Sequence, residues 1–92
     1  MELAEIRKQI DEIDNQIFYL IVGRIELAKK ALEVKGALGK PIYDAERERT
    51  IIEDQVKKAE KVGLPTEFIT EIYKSIIKGC TQVEEELEEL KD

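Results

Sequence analysis

Histidine and tryptophan are absent from this sequence, cysteine occurs once and proline twice. Without histidine, the most frequent general base near neutral pH is missing, and so is the commonest metal ligand. The single thiol, Cys80, permits no internal disulfide. That fits a reducing compartment, and a cytoplasmic protein is expected. No apolar run approaches the length of a membrane span, and the start of the chain does not read as a signal peptide, so no membrane partner is expected. The five glycines do not form a phosphate-cradling loop. Nor is there a cluster of metal ligands or a nucleophile beside an evident base, so neither a metal nor another cofactor is expected. A net charge of −6 argues against nucleic acid as a partner. Any cationic site must be local and built against the overall sign.

What the chain does have is hydrophobic and charged side chains, 42% and 39% of its residues. This is the balance of a helix-rich protein. Its 92 residues set a single domain, 1–92, as the expectation. A core of that size is marginal for a monomer, and oligomerisation is a common remedy.

The first segment carries Leu3, Ile6, Ile10, Ile13, Ile17, Leu20, Arg24, Leu27, Ala31, Val34 and Leu38. Spacings of three and four alternate throughout, as in a heptad a/d seam. A helix over 2–38 would be roughly 50 Å long, whereas a compact chain of this size has a radius of gyration of about 12 Å. One chain can hardly cover such a helix, so a partner is expected to meet part of its seam. Gly36, Gly39 and Pro41 then break the pattern. Asp44 can cap a second helix, 45–61, with Ile51, Ile52, Val56 and Ala59 as its apolar stripe. VGLPT is the next break, and Thr66 reads as the N-cap of a third helix over 66–89, which ends in an acidic tail. No segment reads as a strand. The expected fold is all-α, with one very long N-terminal helix and two shorter ones.

Several polar residues fall on apolar faces. Arg24 occupies a seam position, and at 100° per residue Lys35 points within about 20° of it, about 16 Å along the axis. The small Ala28 and Ala31 lie between them. Two long cationic side chains leaning together could grip one small anion. Alternatively, Arg24 sets coiled-coil register and Lys35 reaches out to solvent. Arg7 lies about 25 Å from Arg24 along the helix and cannot share its ligand within one chain. An antiparallel partner with a two-fold axis near Phe18 would bring Arg7 opposite the gap; otherwise Arg7 is a solvated side chain pairing with nearby glutamates. Glu48 projects among Ile51, Ile52 and Gln55, where a carboxylate is costly unless partnered. Arg47 flanks that face. On the third helix Cys80 is either a small filler or a ligand contact. Glu84, one turn on, is at the edge of that face or part of a solvated tail. A set of cations and few other polar groups suits a small dianion, and a reaction that moves no proton and forms no covalent intermediate.

The stretches LAEIRKQIDEIDNQI, GRIELAKKALEVK and GKPIYDAERER together resemble the all-α class of chorismate mutases. Arg7, Arg24, Lys35, Asp44, Arg47 and Glu48 match that family's pattern in identity and spacing, and the resemblance runs along essentially the whole chain. It implies a domain-swapped, intertwined homodimer with two active sites, each using Arg7 of the other subunit. It also implies isomerisation of chorismate to prephenate, an intramolecular Claisen rearrangement serving phenylalanine and tyrosine synthesis. Arg24 and the partner's Arg7 would bind the two carboxylates of chorismate. Lys35 would reach a carboxylate and the ether oxygen, and Glu48, with backbone near Asp44 and Arg47, would hold the ring hydroxyl.

Two positions depart from the family's usual pattern, a serine-like residue followed four residues later by a glutamine. Here they are Cys80 and Glu84. A thiol donates weakly, and an ionised Glu84 would repel the developing oxyanion. Only protonated Glu84 could donate, so turnover is expected to rise toward mildly acidic pH. The rival readings are an isochorismate pyruvate lyase on the same fold and a non-catalytic helical dimerisation module.

Overall fold

The computed structural model describes residues 1–91, so Asp92, the end of the expected domain and of the acidic tail, lies outside the described residues. Three helices follow in order: α1 Leu3–Leu38, α2 Ala45–Val62 and α3 Thr66–Glu89. Among the described residues there is no strand. The helix ends carry local signals. Gly39 (φ 68°) and Gly63 (φ 74°) adopt the left-handed conformation that closes a helix. In the first, the Gly39 amide donates to Gly36 O at 3.2 Å and Lys40 N to Lys35 O at 2.8 Å; this closure satisfies carbonyls that the helix leaves open. Asp44 caps α2 by accepting from Arg47 N at 3.0 Å.

The start of α3 corrects the sequence reading. Pro65, not Thr66, stands at the N-cap, with φ −59° and ψ 124° and no side-chain cap. Its carbonyl accepts from Ile69 N at 3.3 Å. The pyrrolidine ring already fixes the φ that a residue entering a helix needs, and it has no N–H to satisfy. The helix therefore starts at once, and Thr66 is its first residue rather than its cap.

α3 packs against both other helices, whereas α1 and α2 do not pack against each other. The result is a slab of 55 × 27 × 15 Å, barely thicker than one layer of helices. Its core is slight: Leu32, Ala59 and Cys80 are buried, and among the described residues no side chain is entirely so. Every residue from Met1 to Gly23 is exposed, including Leu3, Ile6, Ile10, Ile13, Ile17, Phe18 and Leu20. The radius of gyration is 16.5 Å. The accessible surface is 7519 Å², against about 5,500 Å² for a compact monomer of this mass. The first turns of α1, up to about Gln16, thus project from a small body formed by the rest of the chain. Among the described residues, no helix is long and apolar enough to cross a membrane.

Candidate active site

The C-terminal half of α1, the loop before α2 and the C-terminal half of α3 enclose a cleft of about 230 Å³. Arg24, Ala28, Ala31 and Lys35 form its α1 wall, successive positions of one helical face. Cys80, Thr81 and Glu84 face them from α3, and Ile42, Tyr43, Asp44 and Arg47 close the end. The two alanines hollow the α1 wall between the two cations.

Arg24 and Lys35 are held differently. Arg24 Nη1 donates to Cys80 Sγ at 3.0 Å. A thiol sulfur is a weak acceptor; it orients the guanidinium without neutralising it. Among the described residues neither Arg24 nor Arg47 has a carboxylate within ion-pair distance. Lys35 Nζ, by contrast, donates to Ile42 O at 2.8 Å and to Glu84 Oε2 at 3.1 Å. Glu84 is only 5% exposed. It is therefore no part of a solvated tail, and its carboxylate sits at the floor of the cleft, neutralised by Lys35. A buried ion pair of this kind has a high desolvation cost and persists because each charge satisfies the other. Among the described residues no group of histidine, cysteine or acidic side chains is placed to hold a metal ion.

Residues 6–85 match the model of the family described as chorismate mutase type II. The chain belongs to that family. It is 38% identical over 89 residues to the bifunctional chorismate mutase/prephenate dehydratase of Aquifex aeolicus, an alignment covering 94% of this chain and 25% of that protein. To the chorismate mutase of Methanocaldococcus jannaschii it is 56% identical over 57 residues, covering 62% of this chain and 57% of the relative. The T-protein of Enterobacter agglomerans is 35% identical over 77 residues, covering 84% of this chain and 21% of its own length. The chain thus spans between a fifth and three fifths of the length of these relatives.

Of the residues singled out in this chorismate mutase family sequence, the fold brings Arg24, Lys35, Asp44, Arg47, Cys80 and Glu84 onto one cleft. Two stay apart from it. Arg7 is exposed, on the projecting part of α1. Glu48 lies instead on a neighbouring side cleft, where its Oε2 accepts a hydrogen bond from the Tyr43 hydroxyl at 2.6 Å. That bond, with desolvation and the carboxylate's charge behind it, raises the Tyr43 pKa above its ordinary 10.0. Sequence reasoning missed Tyr43, Thr81 and the Ile42 carbonyl. The position of Tyr43 directly before the cap residue Asp44 was a signal that it lies near the site. The main-chain role of Ile42 leaves no trace in residue identity.

A second cavity, about 750 Å³, adjoins the cleft at Arg24 and runs between α1 and the first half of α3. Its walls are mainly aliphatic and aromatic, including Ile17, Leu20, Phe68 and Ile72, so it presents an unpartnered apolar face rather than a chemical site.

Proposed function

We propose that this chain isomerises chorismate to prephenate by an intramolecular Claisen rearrangement, acting in the cytoplasm as an intertwined homodimer with two shared sites. The observation that carries the reading is the cleft itself. Two unneutralised guanidinium groups and a lysine line one small cleft, a set of cations that suits a small dianion.

The mechanism follows from these groups. Arg24 takes one substrate carboxylate. Arg7 of the partner subunit takes the other, supplied from the projecting part of α1 that no element of its own chain covers. The cleft is smaller than the roughly 300–1,000 Å³ of usual ligand sites, and the partner helix would add its missing wall. Holding both carboxylates folds the substrate into the compact chair-like conformer in which the bond-forming carbons meet. As the C–O bond breaks, negative charge grows on the ether oxygen. Lys35 lies beside that position and stabilises the charge more than it stabilises the ground state. Glu84 faces Lys35. Protonated, it adds a second donor and releases the full charge of Lys35; ionised, it opposes both. Glu48 and the backbone around Asp44 and Arg47 receive the ring hydroxyl. No proton moves in the rearrangement, so the lack of histidine costs nothing.

The excess surface supports the dimer. About 2,000 Å² more than a compact monomer exposes is available on each chain, above the ~800 Å² per partner of a standard interface. The deciding experiment supplies purified protein with chorismate and, separately, with isochorismate. Prephenate from the first is the expected product. Salicylate and pyruvate from the second, without prephenate from the first, would assign the lyase activity instead. No turnover of either would leave only a dimerisation module.

A further inference from the structure

Three consecutive residues of the loop before α2 each hold a polar group of the site. The Ile42 carbonyl accepts from Lys35, the Tyr43 hydroxyl donates to Glu48, and Asp44 accepts from the Arg47 amide. The middle contact differs from its neighbours. Lys35 and Arg47 line the main cleft, but the Glu48 carboxylate is turned into a side cleft of about 500 Å³ that Lys74 and Lys78 also line. Helical register puts Glu48 within about 60° of Asp44 and Ile51, and both of those line the main cleft. Another rotamer of the glutamate, with no backbone movement, would turn the carboxylate toward the main cleft, whose lining includes Arg24, Lys35 and Arg47. Among the described residues no cation lies within ion-pair distance of Glu48, and Tyr43 is its hydrogen-bond partner. Tyr43 lines both clefts and stands at the partition between them.

We propose that Tyr43 is a positioning residue that holds the Glu48 carboxylate at the edge of the anion cleft, so that the cleft's cations stay open to the substrate's carboxylates. The inference rests on the reading of this cleft as a chorismate site. An unheld carboxylate beside unneutralised guanidinium groups would pair with them and compete with an incoming dianion. Held by Tyr43, it waits where a ring hydroxyl arrives, and its second oxygen remains free to accept that hydroxyl. A short O–H···O⁻ bond is among the stronger hydrogen bonds, and solvent around it moderates its worth.

The test is a double-mutant cycle on prephenate formation with Tyr43→Phe, Glu48→Gln and the pair. Tyr43→Phe is expected to raise KM roughly three- to tenfold with kcat little changed. In the Glu48→Gln background, where no charge can swing into the cleft, the same change is expected to leave KM unaltered. An unchanged or lower KM in Tyr43→Phe overturns the proposal, as does an equal rise in both backgrounds, which would mark Tyr43 as merely structural. Ultraviolet titration of tyrosinate reads the contact without substrate. One tyrosine is expected to ionise above the ordinary range in the wild type and to return to it in Glu48→Gln; no difference between the two overturns the contact. Failure of the wild type to form prephenate, with this titration difference intact, would overturn the assigned reaction instead.

Discussion

A shared site makes a quantitative prediction about mixed dimers. Arg7 and Arg24 lie on one unbroken helix, about 25 Å apart along its axis, so both can touch a small ligand only if they come from different chains. Consider Arg7→Ala and Lys35→Ala, each expected to lose two or more orders of magnitude in turnover through a missing charge contact. In a mixed dimer one site combines the intact Lys35 of the first chain with the intact Arg7 of the second, and the other site lacks both. Random exchange of equal amounts makes half the dimers mixed, and half the sites in those are whole. Roughly a quarter of wild-type activity per chain should therefore return. The assay is prephenate formation after exchange, with differently tagged chains and mass spectrometry confirming that mixed dimers exist. If Arg7 served its own chain's site, no site in the mixed dimer would be whole. Absence of recovery despite proven exchange would refute the shared site.

Arg24→Leu separates the clamp from a register device: turnover should fall roughly 10²–10³-fold while sedimentation still reports a dimer, and retained activity with added stability would contradict the clamp. Lys35→Met leaves the buried Glu84 without its cation. A loss of about 2 kcal/mol in urea unfolding is expected, below the roughly 3–5 kcal/mol of a fully buried broken pair because the lysine is partly solvated. Adding Glu84→Gln should recover most of it, and an unchanged midpoint in Lys35→Met would show that the pair carries no stability. Glu84→Gln alone places a neutral donor beside the ether oxygen. Turnover should rise, whereas unchanged turnover would remove Glu84 from the chemistry.

The long-range features of this fold were written in spacing. The alternation from Leu3 to Leu38 marks α1, and its mismatch with the size of a compact chain already indicated a surface that one chain cannot cover. The same periodicity placed Arg24 and Lys35 on one face with alanines between them. What spacing cannot carry is the choice of rotamer and of partner. Glu48 sits where its register puts it, yet its carboxylate turns to accept from a tyrosine hydroxyl five residues earlier. Glu84 was equally compatible with a solvated tail, since the seam that buries it is made by Lys35, 49 residues away in sequence. Thr66 has the chemistry of a cap but follows a proline whose ring had already set the entry angle.

The projecting half of α1 also sets the order of assembly. α2 and α3 join through a short turn at Gly63, so their pairing needs only local loop closure and is expected within microseconds to milliseconds. In the proposed intertwined dimer, the exposed apolar residues from Leu3 to Ile13 would be buried only on encounter with a second chain. Folding of such a dimer would have a unimolecular phase followed by one whose rate rises with chain concentration. A freshly synthesised chain would hold its hairpin early and gain a working cleft only on pairing, so the onset of catalysis would follow the square of protein abundance until dimers dominate.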